Sequence, residues 1–291
     1  MLIGAHISVS GGYEKALDYV LSVGGECAQV FAKSPRQWRG PPIDRDAAAR
    51  FANARTRVAF GPVFTHAAYL LNLATRDDVL WERSIDALTD ELARGAALQA
   101  NGVVTHVGSD PLQDPDRAAS RVAEAICRAF EGCARQGLHA RLLLENTAGT
   151  GNSFGSTFEQ LGSVIDQTGL RCESLGMCLD TCHAHAFGIP TDSEDAWESL
   201  LDTADYELGL ERLGVIHAND SMFGFGEHRD RHAWIGDGTI GLEGFSAMFA
   251  VIGRVSELND LCAITELPGE VPHKDEENLR RLNRLRTASE A

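Results

Sequence analysis

The feature that most constrains this chain is a recurrence. Eight short apolar runs, rich in β-branched residues, are spaced along it: LIGAHIS (2–8), CAQVFA (27–32), PVFTHAA (62–68), GVVTHVG (102–108), ARLLLEN (140–146), LGMCLDT (175–181), GVIHAND (214–220) and CAITELP (262–268). Between them lie longer stretches, among them 81–99, 117–136 and 157–168, where apolar residues repeat at three- and four-residue steps. Continuous apolar runs suit strands buried on both faces, and their alternation with amphipathic helices points to a parallel sheet covered by helices. Eight such units in 291 residues predict a (β/α)8 barrel, with a doubly wound open sheet as runner-up. No low-complexity segment, long linker or composition break divides the chain, so residues 1–291 read as one domain.

A barrel gathers its βα loops at the C-terminal ends of its strands, and catalytic residues belong there. The runs end in His6, Phe31-Ala32-Lys33, His66, His106, Glu145, Asp180, His217 and Glu266. A single histidine at a strand end is usually a packed or loop residue. Seven imidazoles and carboxylates on one rim would repel, or cost heavy desolvation, unless cations held them together. The pattern therefore predicts a multinuclear metal site.

Individual motifs supply candidate ligands. In 215–238 an apolar strand closes on His217, and the turn-rich loop beyond it carries Asp230-Arg231-His232. Imidazole nitrogens and a carboxylate oxygen at that spacing can meet one divalent ion; a solvated loop is the plainer reading of Asp-Arg-His alone. LLLENTAGTG (142–151) sets Glu145 before a glycine-rich loop, and its two oxygens can bind separate ions. CLDTCHAHAFG (178–188) holds Asp180 and, three residues on, His183. Cys178 and Cys182 read as packing rather than zinc thiolates, and His185 as loop rather than ligand. His6 reads as a supporting or phosphate-facing residue, and His139, His228 and His273 as surface.

Two stretches read as contacts to a polyanion. THAAYLLNLA (65–74) places Tyr69 and Leu70 just past His66, where they could wedge into a base stack; on residue types alone, packing at the start of the next helix is the stronger reading. FAKSPRQWRG (31–40) is a basic and aromatic patch of Lys33, Arg36, Trp38 and Arg39, which offers phosphate contacts and a stacking surface. Composition argues the other way. A net charge of −16 disfavours nucleic acid, unless bound cations reverse the sign locally. Seven cysteines without a CxxC pair predict a reducing cytoplasm, and no apolar run approaches the ~20 residues of a membrane span. The N-terminus carries no pattern of a secretory signal.

Taken together, GAHISVSGG, FAKSPRQWRG, HAAYLLNL, ENTAGTG, CLDTCHAHAFG, HANDSMFGFGEHRDRHAWIGDGTIG and ITELPGE resemble the signature stretches of endonuclease IV, the metal-dependent apurinic/apyrimidinic endonucleases. The match is colinear from Leu2 to about Glu270. The resemblance implies a (β/α)8 barrel with three zinc ions, manganese being compatible with one site. His66 and His106 would hold the first ion. Glu145 would bridge it to a second, held by Asp180, His217 and Glu266. His183, Asp230 and His232 would hold the third. Arg36, Tyr69 and Leu70 would enter the DNA at an abasic site. The implied reaction is hydrolysis 5′ to abasic sites in duplex DNA, leaving 3′-hydroxyl and 5′-deoxyribose phosphate ends, with a 3′-end phosphodiesterase side activity. It implies a monomeric, cytoplasmic enzyme of base excision repair. Departures from the family pattern are Ala67-Ala68, which remove an acceptor for a ligand imidazole, Met222 in place of a common lysine, and the HAHAFG loop. A sugar isomerase or epimerase on the same barrel is the rival reading. It has no role for His183, Asp230 and His232.

Overall fold

The computed structural model describes residues 1–267 and 272–290. The end of the ITELPGE stretch, residues 268–270, and the side chain of His273 lie outside the described residues. In chain order the elements are β1 (Leu2–Ile7), α1 (Tyr13–Ser22), β2 (Cys27–Phe31), α2 (Arg45–Arg57), β3 (Val63–His66), α3 (Asp78–Ala97), β4 (Gly102–His106), α4 (Pro115–Ala134), β5 (Leu142–Glu145), α5 (Phe158–Thr168) and β6 (Leu175–Asp180). They continue with α6 (Thr181–Phe187), α7 (Glu194–Leu208), β7 (Leu213–His217), β8 (Asp220–Ser221), β9 (His232–Ala233), α8 (Gly241–Ile252), β10 (Cys262–Thr265) and α9 (Pro272–Ser289).

All eight predicted runs are strands, and they close into a parallel barrel in the order β1-β10-β7-β6-β5-β4-β3-β2. The open-sheet alternative is excluded by the pairing of β1 with both β2 and β10. The helices begin where polar side chains cap their free N–H groups. Asp44, Asp77, Asp114, Thr157 and Ser193 each accept from the first turn of α2, α3, α4, α5 and α7. Their apolar faces and the outward faces of the strands form the main core, which includes Ile3, Val20, Leu88, Ile126, Leu161, Trp197 and Phe245.

The barrel interior is a separate plug of Cys27, Phe64, Val104, Leu143, Cys178, Val215, Cys262 and Ile264, all buried. Strand side chains alternate faces, so two residues onward the same face recurs. That step leads from Phe64 to His66, Val104 to His106, Leu143 to Glu145, Cys178 to Asp180, Val215 to His217 and Ile264 to Glu266. The apolar plug thus forms the floor beneath a polar ring. The same count leads from Cys27 to Gln29 and from Gly4 to His6. A Cβ on Gly4 would lie 2.0 Å from the Cys27 carbonyl oxygen, so β1 can carry no interior side chain there.

Candidate metal centre

Glu145 lies at the centre of the ring and is wholly buried. Its Oε2 is 3.0 Å from His66 Nε2 and 3.4 Å from His106 Nε2. Its Oε1 is 3.0 Å from His217 Nδ1 and 3.4 Å from His183 Nδ1. His217 Nδ1 is also 3.2 Å from Glu266 Oε2 and 3.9 Å from Asp180 Oδ2. On the far side Asp230 reaches His183 Nε2 at 3.3 Å and His232 Nε2 at 3.4 Å. All nine predicted ligands are therefore brought together. Three sets, His66–His106–Glu145, Glu145–Asp180–His217–Glu266 and His183–Asp230–His232, each have candidate ligand atoms within 4.8 Å of one another.

Local structure explains how residues close in sequence point into one mouth. Asp180 ends β6 and caps α6, accepting from the His183 backbone N–H at 2.7 Å, so the cap itself turns His183 inward. His232 is brought back by a two-residue antiparallel ribbon in which Ser221 faces it. Within that ribbon Asp220, paired with Ala233, accepts from the N–H groups of Ser221, Gly236, Gly238 and Ile240 and ties down the loop that follows.

The outer ring nitrogens are tied to oxygen acceptors. Nδ1 of His66, His183 and His232 donates to the backbone carbonyls of Ala67 (2.7 Å), Asn146 (3.0 Å) and Glu266 (2.9 Å). His217 Nε2 donates to Gln29 Oε1 at 3.0 Å. Each ring thereby turns its other nitrogen toward carboxylates, an arrangement that repels unless a proton or a metal ion lies between. Against burial, which favours the neutral ring, Asp180, Asp230 and Glu145 push His183 up to about 10. Burial raises the Glu145 carboxyl, but His106, His217 and His66 outweigh it and hold it well below the usual range. Buried His232 Nε2 and His106 Nδ1 have no hydrogen-bond partner. Imidazole and carboxylate donors in sets of three and four, with an unpartnered nitrogen aimed into the cluster, fit zinc.

The Ala67-Ala68 departure does not loosen His66, because the Ala67 carbonyl supplies the acceptor. His185 is not in a loop: it is buried in α6, with its ring near the hydroxyls of Thr191 and Thr239. Burial pushes the Cys178 thiol up to about 12, as suits a packed thiol. His139 and His228 are exposed, as expected. His6 supports Glu266, with Nδ1 2.8 Å from its Oε1.

The rim differs from expectation in two places. Lys33 offers nothing to a polyanion: it is buried, with Nζ 3.0 Å from Asp90 and 2.8 Å from Glu91 on α3. Tyr69 is not packed at a helix start. It is 60% exposed, its ring 5.5 Å from Phe31 and 5.6 Å from His66, while Leu71 takes the buried position. Leu70 is half-buried beside it. Arg36 and Arg39 are exposed, and they line a groove of about 950 Å³ with Trp38, which lies 4.2 Å beneath Arg83. Gln29, Asn146 and Asn219 were not singled out from sequence. Asn219 Nδ2 donates to Asp180 at 2.6 Å, and Asn146 exchanges hydrogen bonds with the Asp180 backbone. Counting faces along β2, instead of reading the last residue of the run, would have exposed Gln29.

The sequence model of the xylose isomerase-like TIM barrel family matches residues 17–283. Proteins named probable endonuclease 4 from Methanosphaerula palustris and Chloroflexus aurantiacus are 35% and 39% identical, each over 97% of both chains. The crystal structure of endonuclease IV from Thermus thermophilus is similar with a TM-score of 0.83 and 33% identity over 100% of both chains. A D-tagatose 3-epimerase-like protein is similar with a TM-score of 0.73 at 17% identity, which speaks to the barrel alone.

Proposed function

The chain belongs to the endonuclease IV family, within the xylose isomerase-like TIM barrels, and from that premise we propose that it hydrolyses the phosphodiester 5′ to abasic sites in duplex DNA. The products are 3′-hydroxyl and 5′-deoxyribose phosphate ends, with a 3′-end phosphodiesterase side activity. The observation that carries this reading is the set of four imidazoles whose outer N–H groups are tied to oxygen and whose inner nitrogens face Glu145, Asp180, Asp230 or Glu266.

His66, His106 and Glu145 would hold one zinc ion, Glu145, Asp180, His217 and Glu266 a second, and His183, Asp230 and His232 a third, where manganese is an alternative at one position. Bound there, the ions supply Lewis acidity, which makes water acidic enough to attack near neutral pH and offsets charge on the phosphoryl oxygens. Glu145, with one oxygen toward His66 and His106 and the other toward His217, orients the attacking water. The scissile phosphate approaches from the side of Asp230 and His106, whose side chains are 51% and 29% exposed, since Asp180 and His217 form a closed floor. Arg36 contacts the backbone. Tyr69 and Leu70 fill the space left by the missing base, whose nucleotide costs little to extrude. The sugar-epimerase reading leaves the third set without a task.

The test is incubation of the pure protein with a duplex carrying one abasic analogue, with and without a strong chelator. Cutting on the 5′ side that the chelator abolishes is expected. Glu145→Gln should reduce cutting by at least about three orders of magnitude with the fold intact. Unchanged cutting in that variant removes Glu145 from the mechanism, and a single ion per chain by metal analysis favours the epimerase.

A further inference from the structure

Gln29 is wholly buried at the inner face of β2, two strands round the barrel from β10 and three from β7. Both ends of its carboxamide are used. Its Oε1 accepts from His217 Nε2 at 3.0 Å, and its Nε2 donates to Glu266 Oε1 at 2.8 Å. The reverse orientation of the amide would set its oxygen against a carboxylate oxygen, two acceptors with no proton between them. One side chain therefore dictates two states. His217 must carry its proton on Nε2, which frees Nδ1 to face Glu145, Asp180 and Glu266. Glu266 Oε1 is taken by Gln29 and by His6 Nδ1 at 2.8 Å, which leaves Oε2, 3.2 Å from His217 Nδ1 and held only by a long 3.5 Å hydrogen bond from Asn219 Nδ2, as the oxygen turned to the cluster.

We propose that Gln29 is the positioning residue of the second metal set, fixing the tautomer of His217 and limiting Glu266 to one ligating oxygen. This rests on the metal reading above. Gln29 touches no substrate; it acts through His217 and Glu266, and its Nε2 also lies 3.1 Å from His6 Nδ1, which shares the same Glu266 oxygen. Groups that orient metal ligands in this way typically account for about 10–100-fold in metal affinity.

The experiment separates the two claims. Full-length wild-type protein is loaded with zinc and its ions are counted and titrated against a competing chelator; no bound ions would overturn the metal reading itself. Gln29→Leu removes both hydrogen bonds in a side chain of similar size. Circular dichroism is expected to match wild type, with two ions held at wild-type affinity and one weakened about 10–100-fold. In zinc-loaded, 15N-histidine-labelled protein, two-bond proton–nitrogen correlation should place the His217 proton on Nε2 in wild type and lose that pattern in the variant. Three ions at wild-type affinity in Gln29→Leu overturn the proposal, and so does equal weakening of all three. Should Gln29→Leu not fold, Gln29→Glu decides by the same criteria. It keeps the acceptor for His217 but sets a carboxylate against Glu266, so the same single ion should be lost.

Discussion

Asp180 and Asp230 are both carboxylates of the cluster, yet their surroundings separate what each contributes. Asp180 is fully buried, accepts from Asn219 and caps α6; Asp230 has a side chain 51% exposed on a loop. Removing either should weaken one ion. Only Asp180→Ala should also destabilise the metal-free protein, by roughly 3 kcal/mol, because a cap and a buried partner go together. Asp230→Ala should change metal-free stability by about 1 kcal/mol or less. Metal content and urea unfolding of the two variants check both expectations. Equal destabilisation would show that burial is not what distinguishes them.

Between elements, the rim loops are held by partly buried ion pairs rather than by helix packing alone. Arg76, in the β3–α3 loop, binds Asp110 of the β4–α4 loop through two guanidinium nitrogens, at 2.6 and 2.8 Å. That pair, aided by the N–H groups of Leu112 and Asp114, holds the Asp110 carboxyl well below the usual carboxylate range. A depressed carboxylate contributes stability above its unfolded value and loses it as pH falls through its folded one. Arg76→Gln should therefore be less stable than wild type at neutral pH. The gap should begin to close below about pH 4, the unfolded value, and vanish in stronger acid. Thermal melts across pH 2–8 measure this; a gap that widens toward acid would contradict it. Glu91 plays a related part on α3: it meets Lys33 and accepts from the Ala68 N–H, so it anchors the turn that presents Tyr69. Lys33 looked like a phosphate contact because its partners, Asp90 and Glu91, lie on another element and only the fold brings them near.

On the scale of the molecule, the net charge of −16 sets the terms of any meeting with DNA. Three divalent ions would lower it only to about −10, with positive potential confined to the mouth. Binding to undamaged duplex should be weak, and binding to abasic duplex should fall steeply with salt. Arg36→Ala should reduce the slope of log affinity against log salt by about one, as expected for one lost phosphate contact. Lys33→Met should leave that slope unchanged, since its charge is spent on Asp90 and Glu91. Fluorescence anisotropy over a salt series checks both. The same slope in Arg36→Ala as in wild type would place the DNA elsewhere. No helix among the described residues is long and apolar enough to cross a membrane.

The sequence by itself determined the barrel and the clustering of most site residues. Strands buried on both faces must be apolar throughout, and a polar residue tolerated at their C-terminal ends has to face the mouth. His66, His106, Glu145, Asp180 and His217 were readable for that reason. Only the tertiary structure decided what depends on a partner far along the chain. It paired Lys33 with α3, supplied the Ala67 carbonyl in place of a missing side-chain acceptor, folded His185 into α6 and exposed Tyr69. Gln29 belongs to that second class. In CAQVFA its polarity and its face mark only its place in the ring; its role lies in His217 and Glu266, 188 and 237 residues away, which the closure of the barrel brings within hydrogen-bonding distance.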